Sequence, residues 1–487
     1  MNERSGVAEQ AAKPADMGTP SLPGDPSDPR SPDSPAESPS PQSPSPQSPS
    51  PQSPSPQSPS PQRPSPHQPP PTGYASAKYA PVKLLGIALA LFAVSAVVSL
   101  LAHWWYGYID LQVYRNGARV WLDGGELYGP MPPVFGIGLP FTYPPLAALF
   151  FAPLALMPLV VAEIVVLVSS LGCLGLTLWL VLDRLRPGLD RRLALPLVIG
   201  ALALALYLEP VRQTFGFGQI NLVLMAVVAL DVLARKPFWP RGMLVGITVS
   251  IKLVPGGFLL YFLLRRDWKA AATMIVSAIG AVGVGFLLFP GDSVQYWFHT
   301  LADTGRIGPP YFAGNQSLKG LAFRLGVSDG AATAIWLGLA AVAVTLAAIW
   351  MHHLISAGAH AAALLVNASA ILLVSPVSWS HHWVWVAPAL LLAVDVIVRR
   401  RAGGVPWRRF AWVTGALTVL FLIGPQWLLP HSDDLELDWA WWQQIIGSGY
   451  VIVAFAVLAV AACTYRPAAA SSTASAAGAE KAASAAA

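Results

Sequence analysis

Apolar segments recur along this chain from residue 84 to residue 464, at 84–105, 159–182, 193–208, 219–234, 241–264, 269–289, 333–351, 360–375, 383–398, 409–428 and 445–464. A straight helix needs about 20 apolar residues to cross a bilayer core, so the shorter segments must draw on their flanks. The runs are long and continuous instead of alternating with a period of two, which excludes a transmembrane barrel. Charged residues make up only 11% of the chain, against about 25% in an ordinary soluble domain. That is too little charge for a water-facing surface, so a soluble enzyme is excluded. The fold class is an all-α polytopic membrane protein. The net charge of +5 is explained by topology, and no nucleic-acid partner is needed. Cys173 and Cys463 both lie in apolar runs and form neither a disulfide framework nor a zinc pattern. The first apolar run is long, begins far from the N-terminus and is not followed by a small-residue cleavage signature, so it reads as a span.

Residues 1–80 form a Ser/Pro/Gln-rich tail that is expected to be disordered and cytoplasmic. Twenty-two of the 46 prolines precede residue 73, and residues 38–62 are five copies of Ser-Pro-Ser-Pro-Gln. Such a segment cannot bury a core and favours extended polyproline II. It serves as a solvated spacer or, on a sharper reading, as a docking site for an SH3-like protein partner. Residues 81–465 form the transmembrane domain, and 466–487 a second disordered tail rich in Ala and Ser. With the N-terminus cytoplasmic, the loops on that side carry seventeen Lys and Arg, and the opposite loops carry six. This asymmetry puts both termini inside. Segment 241–264 is basic at both ends, which a single crossing would not allow. Pro255-Gly256-Gly257 in its middle suggests two short helices that enter and return, for ten full crossings plus this hairpin. Residues 144–158, with Pro153 and Pro158, read as a re-entrant or interfacial element packed against protein.

The outward loops 106–143 and 290–332 are too long for connectors and rich in Trp, Tyr, carboxylates and a few cations; loops of this kind are usually functional. Their aromatics suit either a sugar or the interfacial aromatic belt. Asp110 directly follows the first span. A carboxylate at that depth is costly unless paired or used, so it is either a general base made more basic by partial burial or an ion-pair partner of Arg115 or Arg119. His381 and His382 either donate hydrogen bonds to a phosphate or sugar hydroxyl or cap helix ends. Lys252, deep in an apolar segment, requires a partner or an anionic ligand. Arg306 and Lys319 are the outward cations best placed to meet a phosphate. Gln219 and Asn221 open a span as caps or as sugar contacts. No metal-ligand spacing appears, although the chemistry leaves room for a divalent ion. Without a Rossmann fingerprint or a phosphate-cradling Gly-rich loop, a nucleotide-sugar donor is disfavoured. An enzyme working outside would take its activated sugar from a lipid.

Asp110-x-x-Val113-Tyr114, Gly125-x-Leu127-Tyr128 and Leu139-Pro140-Phe141-Thr142-Tyr143-Pro144-Pro145 resemble the opening of glycosyltransferase family 87. Gly218-Gln219-x-Asn221, Lys252-Leu253-Val254-Pro255, Gly314-Asn315-Gln316-Ser317-Leu318 and Ser375-Pro376-x-x-Trp379-x-His381-His382 follow in the family's order. The resemblance covers roughly residues 84–464 and leaves out the tails. It implies a GT-C-type fold with about 10–12 transmembrane helices and large extracytoplasmic loops. It also implies transfer of mannose from polyprenyl-phosphate mannose to a glycolipid acceptor, of the phosphatidylinositol mannoside or lipomannan/lipoarabinomannan type, on the outer face of the plasma membrane. The link formed would be α-(1→2), with inversion. Asp110 takes the place of the family's acidic residue in the first outer loop, and His381 and His382 that of its late His pair. The donor would be met by His381, His382, Arg306, Lys319 and Lys252. Sugar and acceptor contacts would come from Tyr114, Tyr143, Gln219, Asn221, Asn315, Gln316 and Trp379. The rival readings are another polyprenyl-phosphate sugar, glucose or arabinofuranose, and a secondary transporter. A transporter would show inverted repeats and ionisable groups near the midplane; no repeat is evident, and the polar motifs crowd the outer boundary, Lys252 excepted.

Overall fold

Runs of Leu, Val and Ala with few charges satisfy their backbone in apolar surroundings only as helix. The computed structural model describes residues 73–465, and among these it contains no strand, only two isolated bridges. The readings of both tails fall outside the described residues, except that the first helix begins at Gly73. The helices in chain order are α1 (Gly73–Leu101), α2 (Ile109–Leu122), α3 (Leu146–Leu156), α4 (Leu159–Leu185), α5 (Arg191–Ala205), α6 (Glu209–Phe217), α7 (Asn221–Leu233), α8 (Met243–Val249) and α9 (Leu259–Leu264). They continue with α10 (Trp268–Leu288), α11 (Pro290–Phe298), α12 (Leu318–Phe323), α13 (Asp329–Ser356), α14 (His360–Val374), α15 (Val386–Ala402), α16 (Arg408–Ile423), α17 (Trp441–Gly447) and α18 (Gly449–Thr464).

Among the described residues, five helices are long and apolar enough to cross a membrane: Pro81–Leu101, Leu159–Leu185, Trp268–Leu288, Asp329–Ser356 and Ser380–Ala402. The pairs α5–α6 and α17–α18 bend by 79° and 74° at short breaks and raise the number to seven if each is one span. The outward faces of the long helices stay apolar, with Val168 61% and Ile279 67% exposed. Apolar surface on that scale belongs against lipid, and the chain is a multi-pass membrane protein. Some of the ten to twelve helices expected from the sequence are shorter than a bilayer is thick. The helices α7, with 13 residues, and α14, with 15, are enclosed by their neighbours along most of their length. A helix surrounded by protein need not match the bilayer.

Three local devices shape the backbone around the residues singled out above. The apolar element at 144–158 forms α3, which ends at Met157-Pro158. Its last carbonyls have no helical partner and are taken by arginines. Arg115 donates to Leu154 O and, at 2.9 Å, to Met157 O, and Arg119 Nε donates to Ala155 O at 3.2 Å. These two cations are thus committed to α3 carbonyls. Segment 241–264 breaks earlier than Pro255-Gly256-Gly257 suggested, over Ser250–Leu253 between α8 and a 3₁₀ turn at Val254–Phe258. Thr248 and Ser250 bond back to the carbonyls of Val245 and Ile247 at 2.6 and 2.7 Å, competing with the helical ladder. Pro255 then cannot continue it. The break leaves Lys252 at the start of non-helical backbone. Finally, residues 314–316 and 378–380 pair as a short bridge: Gln316 N donates to Ser378 O at 2.7 Å, and Ser380 N to Gly314 O at 2.8 Å.

Candidate active site

The position of Asp110 is set by two glycines. Tyr108, just before α2, adopts φ 47° and donates its N–H to Gly216 O at 2.8 Å. A Cβ on Gly216 would stand 2.7 Å from Trp104 O, and one on Gly218 (φ 64°) would stand 2.8 Å from the Tyr108 ring. Only glycine lets the end of α6 approach this closely. Asp110 therefore enters the first turn of α2, where the helix dipole favours a carboxylate, beside Gln219. Burial pushes its carboxyl up to about 6, while the Lys252 ammonium and a hydrogen bond with Gln219 hold it down.

Asp110 faces a cavity of about 1270 Å³. Its polar lining includes Gln219, Lys252, Arg306, Ser380, His381 and His382, and its aromatic lining includes Tyr143, Tyr296, Phe312, Trp379 and Trp427. Asp110 is the one carboxylate among these described lining residues. Lys252 Nζ donates to Asn221 Oδ1 at 2.9 Å and meets His382 Nε2 at 3.3 Å. An ammonium can only donate, so this contact makes Nε2 of a neutral His382 the acceptor. His381 is buried, its carbonyl accepts from Thr214 Oγ1 at 2.8 Å and Asn221 Nδ2 at 2.9 Å, and its Nε2 has no partner. Arg306 gives Nη2 to Tyr128 O at 3.0 Å while its Nε stays unpartnered. The cavity thus holds one acid, two cations and an imidazole nitrogen with spare hydrogen-bonding capacity.

Several sequence candidates lie behind the wall. Tyr114 is fully buried, stacks on Phe151 with ring centroids 4.2 Å apart, and reaches Gln219 and Tyr143 through its hydroxyl. Asn221 supports Lys252 and His381, as above. Asn315 and Gln316 are fully buried braces. Asn315 bonds to Pro310 O at 2.9 Å, Pro376 O at 3.2 Å and Ser378 N at 3.0 Å, and Gln316 bonds to Ala313 O at 2.9 Å and Gly447 O at 2.7 Å. Lys319 does not line the cavity; its ammonium lies over the rings of Phe323 and Trp336 at 5.4 and 5.2 Å. The sequence reading overlooked Trp427, His431 and Gln213, which line the cavity, and Glu209, which braces it. Glu209 carried a signal that could have been used: an acid directly at the end of a long apolar run. Among the described residues no three His, Cys, Asp or Glu side chains converge as metal ligands.

A polyprenol-phosphate-mannose-dependent alpha-(1-2)-phosphatidylinositol mannoside mannosyltransferase of Mycobacterium tuberculosis is 39% identical over 374 residues, covering 73% of this chain and 84% of the relative. A polyprenol-phosphate-mannose-dependent alpha-(1-2)-phosphatidylinositol pentamannoside mannosyltransferase of Mycolicibacterium smegmatis is 34% identical over 381 residues, covering 74% and 88%. An alpha-(1->3)-arabinofuranosyltransferase of Corynebacterium glutamicum is 27% identical over 249 residues, covering 46% and 59%. No solved structure matches the chain. The model of glycosyltransferase family 87 matches residues 141–376, which include Tyr143, Gln219, Lys252 and Arg306 of the cavity. On this similarity, which spans most of both chains, the protein belongs to glycosyltransferase family 87.

Proposed function

We propose that the protein transfers mannose from polyprenyl-phosphate mannose to a phosphatidylinositol mannoside or a related lipid-linked mannoside, forming an α-(1→2) link on the outer face of the plasma membrane. The observation that carries the chemistry is the single carboxylate facing two cations across an aromatic-lined cavity. A double displacement needs a carboxylate nucleophile beside the acid/base, and the described lining residues include no second carboxylate; one acid suits a single inverting displacement. Asp110 takes the proton of the acceptor hydroxyl, whose oxygen attacks C1 of the mannosyl phosphate. The C1–O bond to phosphate breaks, and polyprenyl phosphate leaves with the electron pair. Arg306, Lys252 and the His381 ring meet the phosphate as its charge grows. Trp379, Tyr143 and Trp427 offer faces for the two sugars. Mannose is favoured over arabinofuranose because the mannosyltransferase relatives are more similar and cover more of the chain. The sidedness of Lys and Arg supports the outer face.

Lipid analysis of a strain lacking the protein tests this reading. The expected result is loss of one α-(1→2)-mannosylated glycolipid and accumulation of its unextended precursor. An unchanged mannolipid profile, or a change confined to arabinan, would contradict it. The two outward cations should also part company. Charge-assisted hydrogen bonds are worth about 1.5–3 kcal/mol, so Arg306→Ala should raise the donor KM by roughly tenfold to a hundredfold. Lys319→Ala should stay within about twofold of the parent, since its ammonium packs on aromatic faces away from the cavity. Steady-state kinetics over a range of donor concentration distinguish the two.

A further inference from the structure

Glu209 opens α6, is fully buried and takes no part in the chemistry described above. Both of its carboxylate oxygens are used. Ser380 Oγ and Trp427 Nε1 each donate to Oε1 at 2.7 Å, and the Tyr450 hydroxyl donates to Oε2 at 2.8 Å. These donors lie 171, 218 and 241 residues away in sequence and come from the turn before α15, the turn after α16, and α18. The packing is tight: a Cβ on Gly424 (φ 65°) would stand 2.7 Å from Glu209 Cγ. A buried carboxylate is costly, and an apolar plug of the same volume would hold helices together as well. What a carboxylate adds is direction. Two of its three donors, Ser380 and Trp427, line the cavity, and Ser380 immediately precedes His381. On the same helix, Thr214 holds the His381 carbonyl at 2.8 Å. The helix α6 thus grips two successive residues of the histidine turn while its other end, through Gly216 and Gly218, positions Asp110.

We propose that Glu209 is a positioning residue for transfer: through Ser380 it fixes where the His381 imidazole stands in the cavity. The inference rests on the reading in which His381 meets the donor phosphate. Glu209→Gln keeps the volume and one acceptor oxygen but adds an N–H₂ that faces donors. A double-mutant cycle with His381→Ala, in the purified full-length protein supplied with polyprenyl-phosphate mannose and a phosphatidylinositol mannoside, tests it. Each single change should lower kcat by about tenfold or more, with the donor KM within about threefold. The double variant should fall no more than about threefold below the slower single one, because residues that act through one hydrogen-bond network are non-additive. A purely structural brace would give losses that multiply, and that result overturns the proposal. Should Glu209→Gln fail to accumulate, Ser380→Ala, which removes one donor, replaces it in the same cycle with the same expected and contrary results. Normal turnover by His381→Ala alone would overturn the reading of the histidine itself and the positioning role with it; that failure is distinct from multiplicative losses.

Discussion

Asp110→Asn is expected to lower kcat by about 10²–10⁴-fold, the usual contribution of a general base, with protein abundance and donor KM close to those of the parent. The substitution conserves shape at a half-buried position and keeps a side-chain oxygen that can still bond to Gln219. The negative charge is lost, and with it the capacity to take a proton and the attraction to the Lys252 ammonium. The pH dependence separates this account from a structural one. Burial raises the Asp110 carboxyl to about 6, and the base works only when ionised. Transfer by the parent should therefore fall about tenfold per pH unit below 6 and level off above it. The residual rate of Asp110→Asn should lack that limb. Turnover near the parent's, or an unchanged acid limb, would show that another group accepts the proton.

Lys252→Met should cost roughly ten- to a hundredfold at pH 7 and recover much of that loss at higher pH. The sign follows from the charges. The Lys252 ammonium stabilises the ionised form of Asp110. Without it the carboxyl pKa should rise further, by about 1–3 for the loss of a nearby opposite charge. Asp110 would then be half to almost fully protonated at neutral pH, and the acid limb would move to the alkaline side. Methionine fills the volume of the lysine stem, so packing against Tyr143 survives. The contacts to Asn221 and His382, at 2.9 and 3.3 Å, do not, which leaves an uncorrected loss above the new pKa. A rate that drops equally at all pH values would assign Lys252 to substrate binding alone.

The sequence disclosed the class of fold because apolar runs and sparse charge leave a chain few options. It also disclosed much of the cavity lining, since polar residues at the ends of apolar segments are costly unless they meet something. Asp110, Gln219, Lys252, Arg306, Trp379, His381 and His382 all reach one space. The direction of each side chain was not legible. Arg306 and Lys319 are both cations of the segment 290–332, yet one lines the cavity and the other lies over Phe323 and Trp336. Asn315 and Gln316 sit in a motif suggestive of sugar contacts, yet both are buried and their amide N–H groups are spent on backbone carbonyls, Asn315 on Pro310 and Pro376 and Gln316 on Ala313 and Gly447. Several of the deciding partners are distant in sequence, such as Tyr128 for Arg306, Pro376 for Asn315 and Gly447 for Gln316, and no local pattern encodes them. The shortened helices were hidden for a similar reason: α7 and α14 are apolar like true spans, and only their enclosure by neighbours separates them from one.

Transfer of mannose from an isoprenoid phosphate to a mannolipid in this cavity, with inversion at C1, can be followed directly. Its most direct test supplies the purified protein, in lipid nanodiscs, with β-linked polyprenyl-phosphate mannose labelled in the sugar and with phosphatidylinositol mannoside. The predicted result is labelled acceptor whose new residue is α-(1→2)-linked, with stoichiometric release of polyprenyl phosphate. Label that stays on the carrier, or that reaches the acceptor only from a nucleotide sugar, would contradict the account.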